Sequence, residues 1–132
     1  MPQEPAKFAP TLDELADLAE QALATLPLQF RRAIEGVALS VDEFADDDTL
    51  NEMGIEDPFE LTGLYRGVPI GIADSAGPLH DVNRIFLYRR PILDEWCATG
   101  VELAHLIRHV LIHEIGHHLG LSDDDIHRIE TS

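Results

Sequence analysis

Residues 113–117 read His113-Glu114-Ile115-Gly116-His117, an HExxH motif, and Gly120 and Asp123 extend it to HExxHxxGxxD. On a helix each residue advances about 100°, so His113 and His117 stand one turn apart on one face with their imidazoles aimed at a common point. Two neutral imidazoles so placed suit Zn²⁺. Glu114, about 100° round from His113, can reach a metal-activated water, and a carboxylate there is the general base that hydrolysis needs. Gly120 can adopt the left-handed conformation that ends a helix, so Asp123 can swing back as a third ligand. A structural role competes for Asp123: Ser122 followed by Asp125 resembles a capping box, and acids in the first turn of a closing helix are favoured by its dipole without any metal. If Asp123 is only a cap, the third ligand falls to water, His127 or Glu130.

The helix that must carry the motif spans 101–120 and is apolar over a wide arc (Leu103, Leu106, Ile107, Val110, Leu111, Ile115), as befits a buried helix. His105 and His109 continue the i, i+4 series backwards. Each step drifts about 40°, which leaves only His109 near the site, in a supporting hydrogen-bonding role. His118 points about 100° away from the ligand pair and reads as packing or substrate-side.

Upstream, residues 1–10 read as a flexible arm and 11–132 as one domain. Thr11 and Glu14 cap a helix over about 12–25. Pro27 opens a second helix reaching Glu35, with Gly36 ending it, and Val37 to Val41 is a strand. Asp46-Asp47-Asp48 lacks the alternation and distal Glu of a calcium loop and is better explained as the start of a short helix from Thr49 to Met53, ended by Gly54. Two strand-like pieces, Leu61 to Arg66 and Val68 to Ile72, precede a loop containing Gly77 and Pro78. Arg84 to Arg89 is the clearest strand. Pro91 begins a short helix through Trp96 to Cys97, and Cys97 reads as a structural residue beside Trp96.

The run HEIGHHLGLSDDD, with ELTGLYRGVPI from Glu60 and RIFLYRRPIL from Arg84, resembles a family of small bacterial zincin-like proteins described as minimal metallopeptidases. The likeness extends from about Leu26 to Ile129. It implies an α+β, minimal zincin-like fold, a small mixed sheet packed on helices with a central HExxH helix, and His113, Glu114, His117 and Asp123 at the site. The motif is also similar to that of the metzincins, but these carry a downstream Met-turn, and none of the nine residues after Asp123 is Met. The metzincin assignment is therefore rejected.

A chain of 132 residues suits one core and one site. No apolar run approaches the roughly 20 residues that span a bilayer, and MPQEPAKFAP lacks the features of a signal peptide, so a cytoplasmic protein is expected. The single cysteine excludes an intrachain disulfide. A net charge of −16, concentrated before residue 60, repels nucleic acids and anionic membranes. The pattern gives no oligomeric state.

The leading expectation is a zinc-dependent metallopeptidase acting on peptide or unfolded protein substrates, basic near the cleaved bond. His113, His117 and Asp123 hold Zn²⁺, Glu114 is the general base, and Tyr65, Tyr88 or His127 is available to the oxyanion. The rival is a non-catalytic binding protein on a degenerate zincin scaffold, presenting its acidic surface to a basic partner. The intact HExxH favours the enzyme.

Overall fold

Thr11 and Glu14 start the first helix as their spacing requires. In the computed structural model, which describes residues 9–67 and 83–131, the Thr11 hydroxyl accepts from the Glu14 N–H at 3.1 Å and the Glu14 carboxylate accepts from the Thr11 N–H at 2.9 Å. Two donors that a helix start leaves unpaired are thereby satisfied. This helix, α1, covers Leu12–Leu23. Helix α2, Leu28–Ala33, begins just after Pro27, which serves as its N-cap rather than lying in its first turn, and it stops before Glu35. Strand β1 is Ala38–Asp42.

Helix α3, Asp47–Met53, is capped by Asp46, whose Oδ1 accepts from the Thr49 N–H at 2.7 Å. That hydrogen bond holds the Asp46 carboxyl below its usual range. Among the described residues no group of ligand atoms with metal spacing includes this acidic run. A 3₁₀ turn over Pro58–Glu60 leads into β2, Gly63–Arg66. The expected strand Val68 to Ile72, the Gly77/Pro78 loop and most of the N-terminal arm lie outside the described residues.

Strand β3, Arg84–Tyr88, runs directly into α4, Arg89–Thr99. This helix begins two residues before the expected Pro91. Pro91 fits at its third position because the N–H groups of a first turn have no intrahelical partner to lose. Cys97 is exposed rather than structural. Ile92 is fully buried on this helix, and five residues further on lies about 140° round it. The motif helix α5 spans Leu103–His118 and the closing helix α6 spans Asp123–Thr131. None of the described helices is long and apolar enough to cross a membrane.

The fold is α+β. β3 is the middle strand, parallel to β1 (Leu39 opposite Ile85) and antiparallel to β2 (Tyr65 opposite Ile85). Helix α5 is the central helix: α1, α2, α4, α6 and β2 all pack on it. Its Ile107, Leu111, Ile112 and Ile115 are fully buried with Leu15, Phe30, Leu87 and Ile126. Each such side chain contributes about 1.5–3 kcal/mol by leaving water, so α5 is fixed far more firmly than propensity alone would hold it. A smaller apolar cluster (Ala45, Leu50, Leu61, Leu64, Tyr88) seats β2. Gly63 lets that strand lie on α5, since a Cβ there would meet Val110 Cγ1 at 2.7 Å.

Candidate metal centre

Helix α5 ends at His118, and the chain reverses through Gly120, whose φ of +83° is the left-handed conformation expected of it. Ser122 and Asp125 then cap α6 reciprocally, with the Ser122 Oγ accepting from the Asp125 N–H at 3.1 Å and the Asp125 carboxylate accepting from the Ser122 N–H at 3.3 Å. Asp125 is further occupied by Arg128. The capping box and the return of Asp123 to the site are therefore both present. Capping falls to Ser122 and Asp125, which leaves Asp123 free to turn back.

Asp123 Oδ1 lies 2.7 Å from His117 Nε2. His113, His117 and Asp123 each offer a ligand atom, and the three atoms lie within 4.8 Å of one another. Zinc bonds of about 2.0–2.2 Å in tetrahedral geometry hold ligand atoms roughly 3.4 Å apart, so this donor set of two imidazoles and a carboxylate fits zinc with small side-chain adjustments. The His117 hydrogen bond, then its charge and that of His113, hold the Asp123 carboxyl below its usual range, so it is ionised and available at neutral pH.

Glu114 is half-buried beside this triad. Burial raises its pKa, opposed by the Tyr65 backbone N–H, which donates to the carboxylate, and by the charge of His117. The direction of that N–H follows from strand register. The Tyr88 N–H donates to the Thr62 carbonyl at 3.0 Å, and alternate residues of an antiparallel pair face their partner strand, so the Tyr65 N–H points away from β3. The Tyr65 ring stacks on His118 at 3.8 Å, which places His118 in packing. Tyr88 is only 3% exposed in the second cluster. Burial first, then the charges of Asp42, Asp46 and Glu114, push its hydroxyl up to about 12, so it stays protonated as a hydrogen-bond donor. His127 is exposed on α6.

The desolvated carboxylate has a measurable consequence. A raised folded-state pKa means that the ionised form destabilises the folded protein, fully above the folded pKa and not at all below the unfolded one. Glu114→Gln should therefore raise the unfolding midpoint of the zinc-free protein at neutral pH. The gain should vanish as the pH falls through the ordinary carboxyl range, which thermal scans at several pH values test.

From the sequence, Glu130 is only a fallback ligand and His109 a supporting hydrogen-bonding residue. Glu130 joins them: its Oε2 accepts from His109 Nδ1 at 2.8 Å and its Oε1 accepts from His113 Nε2 at 2.9 Å. The available signal was the spacing of Asp123 and Glu130, seven residues apart and so on one face of α6. The approach of that face depends on Gly116 within the motif, where a Cβ would meet both Cδ1 and Cγ1 of the buried Ile126 at 2.7 Å. In Gly116→Ala, overpacking of about 1–3 kcal/mol should exceed the helix-propensity gain of about 1 kcal/mol. Denaturant titration should show a net loss of stability, partly restored by adding Ile126→Val, which removes one of the crowding atoms.

An HExxH helix at the centre of an α+β fold, with its two histidines converging on a carboxylate from the next helix, defines a zincin-like arrangement. A model of the zincin-like metallopeptidase family matches residues 34–132, and the chain belongs to that family. The match begins a little later than the expected Leu26. No curated protein matches the chain.

Proposed function

We propose that the protein is a zinc-dependent peptidase. The observation that carries this reading is Glu114, a half-buried carboxylate fixed by the Tyr65 N–H and set beside the converging His113, His117 and Asp123. The two histidines through ring nitrogens and Asp123 through a carboxylate oxygen would hold the ion. When bound, zinc supplies Lewis-acid polarisation of the scissile carbonyl and makes water more acidic. Glu114 takes a proton from the attacking water and passes it to the leaving amine nitrogen. Its raised pKa brings its proton affinity closer to the working pH, where a general base is most effective. The Tyr65 N–H, held in the sheet, fixes the carboxylate's direction.

His117 and Asp123 are exposed, so a flexible peptide can approach from their side without a deep cleft. The net charge of −16 favours segments that are basic near the cleaved bond, by an attraction that salt weakens. The protein purified without chelator should carry about one zinc per chain, and a mixed peptide library should be cut preferentially at basic segments, less so as ionic strength rises. Absence of zinc together with absence of cleavage overturns the peptidase. A preference for acidic peptides, or cleavage indifferent to salt, overturns the substrate class alone.

A further inference from the structure

Helices α5 and α6 carry two sets of donors rather than one. His109, His113 and His117 follow each other at four-residue steps along α5. Asp123 at the start of α6 faces the His117 end, and Glu130 near its other end faces His109 and His113. His109, His113 and Glu130 satisfy the same separation limit as the first triad, with their ligand atoms within 4.8 Å of one another. Among the described residues the two triads do not merge into a four-donor cage, so Glu130 does not close the first site. The His109 and His113 rings lie 4.2 Å apart, and both Glu130 oxygens are engaged by imidazole nitrogens. The Glu130 side chain is 13% exposed, against 82% for Asp123. A carboxylate so far withdrawn from water is costly unless its partners are cationic donors or a metal.

We propose that His109, His113 and Glu130 form a second zinc seat that competes with the HExxH triad for His113. Two imidazoles and a carboxylate are borderline-soft donors suited to zinc rather than to calcium or magnesium. An ion entering either seat takes the place of the proton between a ring nitrogen and its carboxylate. His113 is the member common to both triads and its Nε2 already faces Glu130, so filling one seat opposes filling the other. Only the seat at His117 adjoins the Glu114 carboxylate, whose charged neighbour is His117. An ion in the other seat is held one turn back along α5.

The inference rests on the metal-binding reading above only for the shared His113, and zinc titration with a competing chelator separates the two. The double variant His117→Ala/Asp123→Asn keeps the second triad and should still bind one zinc per chain. Adding Glu130→Gln should lower that affinity by at least about 100-fold, since even a partner outside the ligand set is worth about 10–100-fold. The complementary variant His109→Ala/Glu130→Gln should also bind one zinc, and Co²⁺ in the two double variants should give different absorption spectra. All these changes except Glu130→Gln are at exposed side chains, and Glu130→Gln is isosteric, so circular dichroism should show an intact fold. If the His117/Asp123 variant binds no zinc while the His109/Glu130 variant binds one, the second seat does not exist and the peptidase reading stands. If the reverse is found, the seat stands and that reading falls. Two tightly bound ions in the unaltered protein would overturn the competition.

Discussion

Glu114→Gln should abolish peptide hydrolysis while leaving the zinc content unchanged. The amide is isosteric with the carboxylate, and its oxygen can still accept from the Tyr65 N–H, so the side chain keeps its place between β2 and α5. What it loses is the capacity to take a proton. General-base assistance contributes about 10²–10⁴-fold, and the upper part of that range applies here because burial has raised the proton affinity of Glu114. The expected result is a fall of about 10³-fold or more in kcat/KM on a library peptide, with zinc per chain equal to that of the unaltered protein. The pairing of readouts matters. A variant that loses both zinc and activity would make Glu114 part of the metal's environment, and one that cleaves at the original rate would remove it as the base.

The parts of this molecule that sequence reveals are those set by short-range rules. The HExxH helix was legible because its apolar positions recur at helical spacing and because 100° per residue aims His113 and His117 together. Asp123 was legible through Gly120, whose left-handed turn decides where the chain goes next. The capping boxes at Thr11 and Ser122 and the cap at Asp46 are local hydrogen bonds between residues three apart. The misplaced start of α4 arose because proline marks a first turn without saying which of its positions it occupies. Other features depend on tertiary approach. Nothing in the spacing of Tyr65 and Glu114 indicates that a backbone N–H of β2 will fix the base on α5. That contact is decided by how closely the strand can lie on the helix, which Gly63 permits. The junction of Glu130 with two histidines similarly depends on Gly116 and Ile126 bringing α6 close, and the exposure of Cys97 follows from which face of α4 reaches the core.

Zinc affinity should fall steeply in Asp123→Asn and hardly at all in Asp124→Asn or Asp125→Asn, although the three acids are consecutive. Their partners differ. Asp123 Oδ1 lies 2.7 Å from His117, whereas Asp125 is committed to Ser122 and Arg128, and Asp124 is exposed in the first turn of α6. An asparagine at 125 keeps an oxygen that accepts from the Ser122 N–H, so that variant loses the Arg128 ion pair and, like the change at 124, a favourable helix-dipole charge worth about 0.3–1 kcal/mol. Those costs fall on the folding of α6 and are read in the unfolding midpoint. A metal ligand acts directly on binding, and its loss should exceed the roughly 10–100-fold effect of removing a group that merely supports a ligand. Asp125→Asn should therefore lower the thermal midpoint while keeping zinc, and Asp123→Asn should weaken zinc by more than about 100-fold at the HExxH seat. Because Glu130 offers His113 another carboxylate, that loss is cleanest in the Glu130→Gln background. Equal and small losses for all three acids in that background would make Asp123 a helix-end charge and nothing more.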